Sequence, residues 1–122
     1  EYAKEREVFG RPIGQNQAIQ HPLAECWMAL EAAWLMVLKA AALYDAGEPC
    51  GAEANSAKYL AGEAAFRACE RAVMTLGGMG YAAEYDVERY FREVLITRIA
   101  PVSPELIKCF IAERVLGLPR SY

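Results

Sequence analysis

Histidine is almost missing from this sequence: His21 is the only one in 122 residues. No Ser-Asp or Cys-Asp signature stands near it, so a histidine-driven nucleophile has no candidate and a capping or packing role is expected. Zinc lacks ligands as well, since only Cys26 lies close to His21. The four cysteines, Cys26, Cys50, Cys69 and Cys109, are far apart and form no CxxC. That spacing excludes a dense disulfide scaffold and points to reduced thiols in a reducing compartment. Positive charge is not in excess: Lys plus Arg is 13, Asp plus Glu is 16, and the net charge is -3. A basic nucleic-acid footprint is therefore absent. No P-loop, nucleophile elbow, internal repeat, low-complexity segment or alternating strand pattern appears. No apolar leader opens the chain. The greasiest stretch, 23–44, is interrupted by Glu25, Glu31 and Lys39. It is expected to fall short of a membrane span. These absences predict a soluble protein of the cytoplasm or an organellar matrix.

What is present points to helices. Hydrophobic residues make up 55% of the chain and charged residues 24%, which excludes disorder as the main state. Alanine occurs 22 times. It favours helix and lets helices approach closely. Residues 1–9 read as the last turns of a helix, broken by Gly10, Pro12 and Gly14. A second helix is expected from 17–22 to 46, with Pro22 near its start. Leu23, Trp27, Leu30, Trp34, Val37, Ala41 and Tyr44 mark an apolar stripe with a repeat of about 3.5 residues. A third helix is expected over 52–76, with Ala54, Ala57, Ala61, Ala64 and Ala68 as a small-residue stripe. Trp27, Trp34 and Leu38 are the large side chains expected to fill against it. A fourth helix is expected over 85–99. Ser103 and Pro104 then read as N-cap and first residue of a last helix, 104–116. The fold class is all-α, an antiparallel up-and-down bundle forming one domain over 1–122.

Few residues offer chemistry. Gly77, Gly78 and Gly80 follow a helix rather than a strand, so they are not a dinucleotide fingerprint. They fit either a tight corner or a backbone surface for a phosphate-bearing ligand. Arg6, Arg11, Arg89 and Arg92 are candidate phosphate binders. Arg6 is favoured because Phe9 and a flexible loop follow it, with Gln17 across that loop. Glu84 and Glu88 have no companion that would make a metal site, and Glu105 suits the first turn of a helix. No metal ligands are assigned.

The ordered blocks Glu5-Arg6-Glu7-Val8-Phe9-Gly10-Arg11-Pro12-Ile13, Gln17-Ala18-Ile19-Gln20, Ala57-Lys58, Leu76-Gly77-Gly78-Met79-Gly80-Tyr81 and Glu84-Tyr85-Asp86-Val87-Glu88-Arg89-Tyr90-Phe91-Arg92-Glu93 together resemble the C-terminal helical domain of the acyl-CoA dehydrogenases. The resemblance covers nearly the whole chain but only about the last third of a family member. It implies a fragment of a longer chain, without the N-terminal helical and middle β domains. It also implies FAD, an acyl-CoA substrate oxidised at Cα–Cβ, an electron-transferring flavoprotein as acceptor, and a homo-oligomer. By resemblance Arg6 reaches the FAD pyrophosphate of a neighbouring subunit, Phe9 is its aromatic companion, and Gln17 lies near the adenylate. Gly77 and Gly78 let FAD approach the backbone, and Ser103 keeps a hydroxyl near the flavin. Met74 replaces the family's usual glutamine, and Glu93 its usual aspartate. Pro101 stands where many members carry the glutamate base, so no catalytic residue is assigned. Some relatives place the base upstream of Arg6. A non-catalytic interaction or assembly module derived from the family is the alternative.

Overall fold

The structure, a computed structural model, describes residues 1–121. Helix α1 is a single turn, Tyr2–Glu5. Strands β1 (Glu7–Val8) and β2 (Arg11–Pro12) pair antiparallel, with Glu7 opposite Pro12 and Val8 opposite Arg11. Residues 1–9 are thus not one helix. The Arg6 carbonyl accepts from the Ile13 amide at 2.8 Å instead of continuing a helical ladder. Strands of two residues carry no period-2 signal, so the sequence pattern cannot announce them.

Helices α2 (Gln17–Asp45) and α3 (Gly51–Leu76) form a long antiparallel hairpin. Its turn is a Schellman motif: Gly47 N–H donates to Tyr44 O and Glu48 N–H to Leu43 O, with Gly47 at φ 72°. The expected fourth helix is divided into α4 (Val87–Val94) and α5 (Ile96–Ile99). At the division the Thr97 hydroxyl bonds back to the Val94 carbonyl at 2.7 Å, a local competitor of the helical ladder. Helix α6 (Pro104–Arg114) starts as expected, with Ser103 Oγ accepting from the Leu106 amide, and ends two residues earlier. The architecture is the expected all-α bundle, with the small hairpin at one end.

The core is built from small residues. Among the described residues the buried apolar side chains are Ala33 of α2, Ala57 and Ala64 of α3 and Ile107 of α6, and α3 packs on both α2 and α6. The large residues expected in this contact lie elsewhere. Trp27 is 64% exposed, Trp34 55% and Leu38 46%. The inward face of α2 instead runs through Cys26, Ala29, Ala33, Met36 and Ala40. The inward and outward stripes are offset by one residue, about 100° around the helix. A 3.5-residue repeat reports that a stripe faces something, but not which neighbour. Small against small is the better solution here, because it brings two backbones together and maximises dispersion contact.

By length and composition α2 is apolar enough to cross a membrane, contrary to the sequence expectation. Its small-residue face is occupied by α3, and its second apolar stripe accounts for the rest of its hydropathy.

Ala64→Leu should cost about 1–3 kcal/mol by overpacking the α2–α3 contact. Trp34→Ser should cost about 1–2 kcal/mol, from the covered part of the ring and the weaker helix propensity of serine. Urea unfolding followed by circular dichroism checks both.

Candidate functional site

The end of α3 and the N-terminal hairpin enclose a recess of about 400 Å³. Arg6, Tyr2 and Val8 contribute from one side, and Met74, Gly77 and Gly78 from the other. The three glycines have different reasons to be glycine. Gly77 ends α3 at φ 60° and ψ -130°, a conformation that side chains disfavour. Gly80 is buried, and a Cβ there would strike the Val73 carbonyl. Gly80 is therefore the tight corner. Gly78 has neither constraint: a Cβ on it would meet nothing within 4 Å, and its backbone faces the recess.

The arginines also separate. Arg11 donates to Asn16 Oδ1 at 2.7 Å, and Arg92 to Glu88 at 2.6 Å. Arg89 is held by Glu93 and Asp86, whose hydrogen bonds push its pKa above the ordinary guanidinium value. Among the described residues no hydrogen bond or ion pair holds the Arg6 guanidinium. It is an uncommitted cation on the rim of a mostly apolar recess.

The other candidate residues do not all converge there. Phe9 stands at the hairpin tip, 100% exposed, at φ 55° beside Gly10 at φ 73°. Two positive φ values in a two-residue hairpin loop define a type I′ turn, where Asn-Gly is the preferred pair. A bulky residue there is strained, and strain of this kind collects at functional positions. Gln17 is exposed in the first turn of α2, outside the recess. Ser103 caps α6, apart from the recess.

Thr75 was missed by sequence reasoning. It is 9% exposed, lines the recess, and its Oγ1 is buried without a hydrogen-bond partner. Its position beside Met74 was the available signal. Such an orphaned hydroxyl is uncommon in a folded chain. An unpaired arginine, an open glycine backbone and an orphaned hydroxyl around one recess fit an anionic, partly apolar group. A diphosphate-bearing cofactor has that chemistry, and the volume suits a portion of a dinucleotide. Among the described residues no cluster of three metal-ligating side chains occurs. All four cysteines are free thiols, and burial pushes the pKa of Cys69 up.

Phe9→Asn should stabilise the fold by about 1 kcal/mol by relieving the positive φ. Denaturant unfolding of the two proteins checks it.

Residues 1–116 match the family described as "Acyl-CoA dehydrogenase, C-terminal domain". The acyl-CoA dehydrogenase FadE12 of Mycobacterium tuberculosis is 48% identical over 100% of this chain and 32% of its own length. The mitochondrial short-chain specific acyl-CoA dehydrogenase of Rattus norvegicus is 41% identical over 98% of this chain and 29% of its own. An FAD complex of PigA superposes with a TM-score of 0.92 at 32% identity, covering 96% of this chain and 30% of that one. The chain thus spans about a third of the length of the curated relatives it matches.

Proposed function

The chain belongs to the acyl-CoA dehydrogenase family, as its C-terminal domain, and from that premise we propose that it is the FAD-contacting and oligomerisation part of a longer flavoprotein that oxidises an acyl-CoA thioester at Cα–Cβ. The observation that carries this reading is the uncommitted Arg6 guanidinium beside the open Gly78 backbone. Arg6 neutralises diphosphate charge, and the Gly77-Gly78 backbone admits the cofactor without a side chain in its path. Phe9 and Gln17 extend the contact toward the adenylate half, and Ser103 serves the flavin half. When bound, FAD supplies the hydride acceptor. Phe9, Gln17 and Ser103 do not line the recess, which accords with an extended dinucleotide shared between subunits.

The chain alone is not expected to turn over substrate. Pro101 has no proton-accepting group, so an active parent would need its base on another segment, as in relatives that place it upstream of Arg6. Acyl-CoA and an electron-transferring flavoprotein are partners of that parent. Its compartment is the cytoplasm or an organellar matrix, supported by the mitochondrial relative.

The outward stripe of α2, with Leu23, Trp27, Leu30 and Trp34 each at least 38% exposed, favours a second reading: an assembly module without catalysis. Sedimentation velocity with a flavin titration separates the two. A chain that self-associates while its parent takes up no flavin supports assembly alone.

In the parent protein, Arg6→Met should weaken FAD binding about tenfold to a hundredfold, the loss expected for a charge-assisted hydrogen bond. Gly78→Val should do the same while leaving the unfolding midpoint within a few degrees. Flavin fluorescence titration and a thermal melt check this pair. Unchanged affinity in both variants would remove the recess as the cofactor site.

A further inference from the structure

Lys58 sits on α3 outside the recess, and none of the roles above uses it. Its ammonium donates to the Thr97 carbonyl at 2.7 Å, across 39 positions of sequence. That carbonyl belongs to the last turn of α5, where helical carbonyls lose their internal partners. The residue four positions on is Pro101, which has no amide hydrogen to offer. The lysine supplies the missing donor from a neighbouring helix.

The same face of α3 grips this point in three further ways. Gly62 lies one turn after Lys58, and a Cβ on it would stand 3.2 Å from the Thr97 carbonyl oxygen. Helix α5 therefore passes against the bare backbone of α3. Glu63 pairs with Arg98 at 2.9 Å, and the Arg98 guanidinium lies 4.6 Å from the centre of the Phe66 ring. Thr97 turns its hydroxyl to Val94, so the group of Thr97 that Lys58 meets is the carbonyl alone. Beyond this anchored point the chain runs through Pro101 to Ser103 and into α6, whose Ile107 is buried. The connection is thus held at both ends, and Lys58 holds the near end.

We propose that Lys58 is a positioning residue: by holding the Thr97 carbonyl it sets the course of residues 100–103 and so the place of the Ser103 hydroxyl beside bound flavin. The second half of this statement rests on the cofactor reading above; the first half does not.

The test uses the parent protein with Lys58→Met, Lys58→Arg and Gly62→Ala. Amide hydrogen exchange is followed by mass spectrometry, with the visible absorption and circular dichroism of the flavin recorded on the same samples. Lys58→Met should speed exchange across 96–106 by about tenfold or more while α2 is unchanged. Lys58→Arg keeps a donor and should restore the slow exchange. Gly62→Ala pushes α5 outward with Lys58 intact, and should loosen the same segment if Lys58→Met does not fold. Flavin content should persist in all three, because Arg6 and Gly78 are untouched. The flavin bands should shift in Lys58→Met, and in Ser103→Ala, but not in Lys58→Arg. Exchange that is unchanged, or faster everywhere at once, overturns the anchoring role. Local loosening with an unaltered flavin spectrum overturns the link to Ser103. A parent that takes up no flavin overturns the cofactor reading, and with it the Ser103 half, while the exchange arm still decides what Lys58 holds.

Discussion

The close contact of α2 and α3 over small side chains is the constraint on which the rest of this fold depends. Ala33, Ala57 and Ala64 are buried where the two long helices pack, and their small side chains permit a close approach. That proximity delivers the end of α3 to the N-terminal hairpin, where the recess forms. The opposite side of α3 uses the same device a second time. Gly62 admits α5, and Ile107 of α6 closes beside it. One helix with small residues on more than one face thereby carries both the recess and the Ser103 connection.

Helix existence was largely legible from sequence, because long periodic segments carry many independent signals. The Ser103-Pro104 start of α6 was legible from two residues, since those positions have few chemical alternatives. The hairpin over Glu7–Pro12 was not, because two-residue strands have no period to detect. The division between Val94 and Ile96 was hidden for another reason. It goes with Thr97 choosing a local bond to Val94, a choice that a threonine in a periodic segment does not announce. The facing of α2 was misjudged because large residues advertise burial more loudly than alanines do, whereas here the alanines are the buried ones.

The candidate site shows a similar division. Sequence singled out Gly77, Gly78 and Gly80 as a group, but only geometry assigns them separate reasons. Two are needed by the chain's own path, and Gly78 is left as the one open to a ligand. Of the four candidate arginines the sequence favoured Arg6 for its neighbours alone, and the other three turn out to be engaged by Asn16, Glu88, or Asp86 with Glu93. Thr75 escaped notice because a threonine in an apolar helix end attracts no attention until its hydroxyl is seen to lack a partner. The resemblance of the chain to a large enzyme family supplied the chemistry. The uncommitted groups show where that chemistry has room to act.

Helix α2 is long and apolar enough to cross a membrane, yet its tryptophans are not placed where a bilayer would collect them. In a bilayer, tryptophan gathers near the two headgroup boundaries, where a ring can be apolar and wet at once. Trp27 and Trp34 instead sit well inside a helix running from Gln17 to Asp45, one above the other on a single side. Both rings stand on the exposed side of α2, one residue out of step with the buried Ala33. The hydropathy of this helix is thus the sum of two apolar faces, one covered by α3 and one exposed, and a single average over its length merges them.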